Sequence, residues 1–283
     1  MKLKKSIAVL TAVSAFLCGM TLPSAVIRDD AVLIASAETS GTYGTMTYTL
    51  YSNYAVITGF DNSVTELEIP SRIEGLPVTQ IGNYAFQNAT KLKSVTIPDT
   101  VTAIGTKSFY NASALENITF SNSLKTIGES AFSRCVSLTE IVLPKSLTSF
   151  EAHIFDSCAY LQSVTIQEGV TSIPYSSFAY CTLLQEISLP LSISYISWDS
   201  TFKETNITDV YYAGSKAQWN TIENQSRLSS ATVHYGAENP PKKFTPDINS
   251  DGTIDALDAA IVLQYAAYTG ANGYVELSVF LAM

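Results

Sequence analysis

Leu92-Lys93-Ser94-Val95-Thr96-Ile97-Pro98-Asp99-Thr100-Val101-Thr102-Ala103-Ile104-Gly105 is followed, 23 residues on, by Leu115-Glu116-Asn117-Ile118-Thr119-Phe120 and, after another 23, by Leu138-Thr139-Glu140-Ile141-Val142-Leu143-Pro144. The same apolar positions return each time. Leu92, Leu115, Leu138, Leu161, Leu184 and Ile207 form one column, and Val95, Ile118, Ile141, Val164, Ile187 and Val210 another. Phe86, Phe109, Phe132, Phe155 and Phe178 form a third, and the chain carries Ile81, Ile104, Ile127, Phe150, Ile173 and Ile196 at the same period. Two more columns run through Val78, Val101, Leu124, Leu147, Val170 and Ile193, and through Ile97, Phe120, Leu143, Ile166 and Leu189. A fixed period of this length means stacked units, because one such unit cannot bury its apolar face alone.

Within a unit, Val95 and Ile97 alternate as a short strand does, with both pointing inward. Pro98, Pro144 and Pro190 end that strand, since proline has no N–H for a ladder. Gly82, Gly105 and Gly128 stand where a tight corner wants a permissive backbone. The expected fold is a β-rich repeat solenoid with a 23-residue period and short parallel strands. Cys135, Cys158 and Cys181 fill one slot per unit, taken by Ala89 and Ala112 earlier. Small and buried is all that slot requires, and a sulfur column lacks the Cys/His grouping of a zinc site. A disulfide between neighbouring units is open on distance grounds, but one thiol would always remain.

The ends depart from the pattern. Thr45 to Ile57 alternates and is rich in Tyr, Thr and Val, with a turn at Gly59 to Asn62, so a β-hairpin cap is expected over 38–68. The solenoid itself spans 69–209, and a closing cap 210–236. Near that end the Phe column slips by one residue to Phe202. These residues closely resemble the BspA-type leucine-rich repeat, through Ile69 to Gly82 at the opening and Asp209 to Asn220 at the close. The resemblance implies a bacterial surface or secreted protein that binds or adheres rather than catalyses.

Lys2, Lys4 and Lys5, the uncharged run Ile7 to Leu22 and Ala35-Ser36-Ala37 read as an export signal over 1–37, with a second cleavage candidate after Ala25. Leu17 before Cys18 argues against a lipoprotein site, and no later segment is apolar enough to span a bilayer. The net charge of −9, from 25 acidic and 16 basic residues, argues against nucleic acid as a partner.

After a Pro-rich linker at 237–246 the composition changes. Asp247, Asn249, Asp251, Thr253, Asp255 and Asp258 place oxygens at positions 1, 3, 5, 7, 9 and 12 of a calcium loop, with Gly252 at the sharp turn. Thr253 offers its carbonyl and Asp255 acts through water. No helix precedes the loop, because Pro240, Pro241 and Pro246 forbid one. Helix formers follow it, so a small α-helical calcium module is expected over 247–283. Loop plus one helix resembles a type I dockerin repeat, of which this chain has one where the family has two. The resemblance implies a Ca2+ cofactor and a cohesin partner on a scaffold protein, met by Ala256, Leu257, Leu263, Gln264 and Tyr268; the same five residues would otherwise pack on the C-terminal tail.

His153 and His234 lie apart from any Cys or acidic cluster in sequence, and no nucleophile, phosphate or dinucleotide motif occurs. No catalytic residue is assigned. The outward strand positions Ser94, Asn117, Glu140, Ser163, Glu186 and Asp209, beside Thr96, Thr119, Val142, Thr165, Ser188 and Tyr211, form a flat ladder suited to a protein ligand. Tyr195, Trp198, Tyr211, Tyr212 and Trp219 cluster near the last unit, either as cap packing or as a platform for glycan.

Overall fold

The computed structural model describes residues 38–236. Its repeats wind as coils with three sides. On the first side run β4 (Glu66–Glu68), β7 (Ser94–Thr96), β9 (Asn117–Thr119), β11 (Glu140–Leu143), β13 (Ser163–Ile166), β15 (Glu186–Leu189) and β17 (Asp209–Tyr212). On the second run β6 (Leu76–Ile81), β8 (Ala103–Ile104), β10 (Thr126–Ile127), β12 (Ser149–Phe150), β14 (Ser172–Ile173) and β16 (Tyr195–Ile196). In the lengthened first coil, β5 (Arg72–Ile73) folds back antiparallel onto β6. Partners within a ladder are parallel and 23 residues apart, as in Ile127 beside Phe150 and Val164 beside Ile187, except across the lengthened first coil, where Leu67 lies beside Val95. The third side has no named strand, yet its backbone is also bonded coil to coil. Phe109 N–H donates to the Ala131 carbonyl at 2.8 Å and Phe132 N–H to the Ile154 carbonyl at 2.9 Å.

The apolar columns point inward and, apart from Ile118 and Phe120, are buried, Leu92, Leu115, Leu138, Leu161 and Leu184 completely. The Phe column is a continuous stack. Phe86, Phe109, Phe132, Phe155, Phe178 and Phe202 succeed one another with ring centroids 4.9–5.9 Å apart and planes within 16°. Each offset pair of this kind adds about 0.5–1.5 kcal/mol beyond its area burial. Cys135, Cys158 and Cys181 are free and buried in the slot that Ala89 and Ala112 also fill. Their thiols donate to the carbonyls of Phe109, Phe132 and Phe155 at 3.1–3.2 Å.

The glycines act differently from the expectation. None of Gly82, Gly105 and Gly128 takes a positive φ, and their service is close approach. A Cβ on Gly105 would lie 2.7 Å from the Asn83 nitrogen, and one on Gly128 2.6 Å from that of Thr106. The left-handed corners fall instead on other residues, twice per coil, at Tyr84 and Asn88, Lys107 and Asn111, Ser130 and Arg134, His153 and Ser157, Ser176 and Tyr180, and Ser200 and Glu204.

At the N-terminal end the cap is a meander of two hairpins. β1 (Thr39–Tyr43) and β2 (Met46–Leu50) pair antiparallel around Gly44-Thr45, and β3 (Ala55–Phe60) returns against β2. β3 therefore runs through Gly59, where the sequence predicts a turn, and pairs parallel with β6 to open the second ladder. At the other end a one-turn helix α1 (Lys216–Trp219) starts on a capping box, with Ser215 and Gln218 each bonding the other's backbone. It carries Trp219 into the core beside Tyr212, and β18 (Thr232–Tyr235) pairs with β17. The expected cap packing of Tyr212 and Trp219 is what the structure has.

Candidate functional site

Both ladders are interrupted once, in different places. The first breaks between β9 and β11, and the second between β12 and β14. Proline accounts for one of the bonds missing at the second break. Gly82, Gly105, Gly128, Glu151 and Ser197 each donate an N–H to the coil before, and Pro174 occupies the one place in that series where no N–H exists.

The first break opens a surface. Phe120 stands between the aliphatic Ile97 and Leu143 of the adjacent coils, and its ring sits edge-on to Phe132 at 5.7 Å. Side-chain ties join this coil to the preceding one. Ser121 Oγ donates to the Val101 carbonyl at 2.6 Å, Asn122 N–H to Asp99 Oδ1 at 2.7 Å, and Lys93 Nζ lies 3.3 Å from Glu116. A cleft of about 730 Å³ lies between this coil and the next one. Ile118 and Phe120 are only half-buried there, whereas Val95, Ile141 and Val164 in the equivalent place are sealed. Exposed Val142, together with Glu140 and Lys145, forms the far wall.

The outward row expected to make one flat ladder is thus two shorter ones. Registers within them are as the spacing implies, with Ser94 beside Asn117, Glu140 beside Ser163 and Glu186 beside Asp209. Ser188 is a correction, because it is buried with its hydroxyl unpartnered. Tyr211 stacks on His234 at 4.7 Å, and His234 Nε2 reaches Asp209 Oδ1 at 2.8 Å. That contact, with a second bond from Thr208, holds the Asp209 carboxyl below its ordinary value.

The remaining residues singled out in the sequence divide clearly. His153 meets Tyr175 edge-on at 5.0 Å, away from His234. Burial pushes the thiols up, Cys181 to about 12 and the other two well above the ordinary range, so none supplies a thiolate. Among the described residues no three His, Cys, Asp or Glu side chains gather as a metal cage. Of the aromatic cluster, Tyr212 and Trp219 are buried, Tyr195 and Tyr211 half-buried, and Trp198 is 64% exposed. Asp247, Asn249, Asp251, Thr253, Asp255 and Asp258, and the partner residues Ala256, Leu257, Leu263, Gln264 and Tyr268, lie outside the described residues, as does the export signal.

Sequence reasoning does not find the cleft beside Phe120, and it groups Trp198 with residues that prove to be cap. Each left a mark in the sequence all the same. Phe120-Ser121 replaces the aliphatic-proline pair of Ile97-Pro98 and Leu143-Pro144, and Phe202 falls one residue late.

The described helices include none long and apolar enough to cross a membrane. Among solved structures, a leucine-rich cell surface protein of Faecalibacterium prausnitzii is 31% identical over 71% of this chain, with a TM-score of 0.59; the match spans 55% of that protein. The leucine-rich repeat protein of T. pallidum is 25% identical over 70% of this chain and all of its own length, with a TM-score of 0.57. The pneumococcal vaccine antigen PcpA shares the fold at 20% identity, with a TM-score of 0.54 over 70% of this chain and 48% of its own. No curated protein matches the sequence. The BspA type leucine-rich repeat region matches in six copies, over residues 59–122 and 102–227. On that match, the repeats just described and their stacked core, the chain belongs to the BspA-type leucine-rich repeat family.

Proposed function

We propose that this is an extracellular, non-catalytic binding protein whose repeat surface meets a protein ligand and whose C-terminal segment anchors it to a scaffold. The observation that carries the reading is the sealed interior. Side chains of every coil fill the space between the three sides, so function falls to the outer face. On that face the two shortened ladders present short polar side chains, and the cleft between them offers an apolar floor of Ile118 and Phe120. The cell-surface relative supports an exterior location.

The anchoring part rests on the oxygen pattern of residues 247–258. Asp247, Asn249, Asp251, the Thr253 carbonyl, Asp255 through water and Asp258 would hold Ca2+, ordering the loop that precedes the cohesin-facing residues. The chain would then join a cellulosome-type assembly that works on polysaccharide. The test is a pull-down of the exported chain with a panel of cohesins, in calcium and in chelator. Calcium-dependent capture, lost on Asp247→Ala with Asp251→Ala, supports anchoring. Failure of every cohesin in calcium sinks it. A second reading, glycan binding by the repeat region, is favoured by the exposure of Trp198.

A further inference from the structure

Trp198 is exposed for a traceable reason. From Ile173 to Phe178 the chain takes five steps, and from Ile196 to Phe202 it takes six. The coil-to-coil bonds locate the extra residue. Ser197 N–H still reaches the Ile173 carbonyl, as Glu151 N–H reaches that of Ile127. Beyond it the register has moved: His153 N–H pairs with the carbonyl of Tyr175, but Ser176 N–H pairs with that of Asp199. The inserted residue is Trp198, turned out of the coil into solvent.

It borders a cleft of about 310 Å³ whose other walls are Ser200, Thr201, Phe202, Lys203 and Arg227. Phe202 is the terminal ring of the stack, lying on Phe178 at 5.8 Å with planes 4° apart. Lys203 sits over the Tyr180 ring at 5.1 Å, and neither Lys203 nor Arg227 belongs to an ion pair among the described residues. In a chain of net charge −9, this cleft holds two aromatic rings beside two cations that no carboxylate among the described residues contacts as an ion pair. The cleft is at the small end of ligand sites, sized for one ring-shaped group rather than a folded surface.

We propose that the cleft binds a pyranose ring bearing a carboxylate, the acidic sugar of a polysaccharide. The apolar C–H face of the sugar packs on Trp198 and Phe202, the amphipathic use to which exposed indoles are suited. Its carboxylate pairs with the Arg227 guanidinium, whose fork matches two oxygens, and with Lys203. The Ser200 hydroxyl donates to Asp199 Oδ1 at 3.1 Å, which leaves its oxygen to accept from a ring hydroxyl. This deepens the glycan reading by naming residues and ligand class, and it is independent of the C-terminal anchor.

Titration calorimetry of the exported chain with trigalacturonate and with cellotriose tests it, in chelator so that the calcium loop takes no part. Trigalacturonate binds, cellotriose binds about tenfold or more weakly, and added salt reduces the difference. Trp198→Ala and Arg227→Gln each weaken trigalacturonate by about tenfold or more, one stacking or charged partner being lost. Both side chains are exposed, so the melting temperature stays within about 2 °C of the parent. Equal binding of the two sugars, no binding of trigalacturonate, tighter binding of benzoate, or unchanged affinity in the folded variants would each overturn the assignment. A failed cohesin screen leaves this result untouched, and the converse also holds.

Discussion

The coils up to Gly128 and those after it share one backbone path, yet they are held on the second side by different chemistry. In the early coils, glycines let one turn settle onto the last with less room than a methyl group needs. Later the same column carries Glu151, Pro174 and Ser197, and the ladder parts at the proline. The stack of Phe rings and the columns of Leu and Ile run through both halves without interruption. Side-chain packing is thus the common element, and any single row of backbone bonds is dispensable locally.

The shared column should respond most. Phe132→Ala, inside the stack, is expected to cost about 3–5 kcal/mol in urea unfolding, whereas Phe202→Ala at its end costs about 1–2 kcal/mol. Equal losses would mean that the rings do not act as a stack. Next comes the contrast between halves. Gly105→Ala places a methyl against backbone and should lose about 3 kcal/mol, while Ser197→Ala stays within about 0.5 kcal/mol. If Gly105→Ala is tolerated, the early coils are not stacked as tightly as their spacing implies.

Pro174→Ala probes the break itself. It returns an N–H to the gap between β12 and β14, and the gain of a ladder bond, less the flexibility restored to the unfolded chain, is at most about 1 kcal/mol. Hydrogen exchange at the amide that this substitution introduces reads it directly, and a lack of protection there would show that the gap does not close. The smallest effect belongs to the C-terminal cap. Asp209 has a folded-state value below its unfolded one, so its contribution is complete above about pH 4 and fades as pH falls through the folded value. Asp209→Asn should flatten that acid-side decline in melting temperature; an unchanged slope would assign it elsewhere.

The columns and the buried cysteine slot are legible because burial repeats, and repetition is what one sequence displays well. Glycine's part is not. Corner and close approach both call for a missing side chain, and only coordinates tell a positive φ at Tyr84 from a crowded Cβ at Gly105. The cleft beside Phe120 is illegible for a different reason. It lies where the first ladder breaks, between β9 and β11, and a break in pairing between two coils with the same apolar period leaves no regular mark in the sequence. The outward turn of Trp198 shows in the sequence only as a late phenylalanine, since an insertion has no period.

The paired left-handed corners carry a consequence for anyone wishing to alter this protein. Lysine, arginine, histidine and tyrosine are held there in a conformation that disfavours a Cβ by about 1–2 kcal/mol. Asparagine already serves at Asn88 and Asn111, so installing it at Arg134 or Ser157 would relax the chain without touching the core. The fold carries its own reserve for thermal hardening, spaced evenly along one edge.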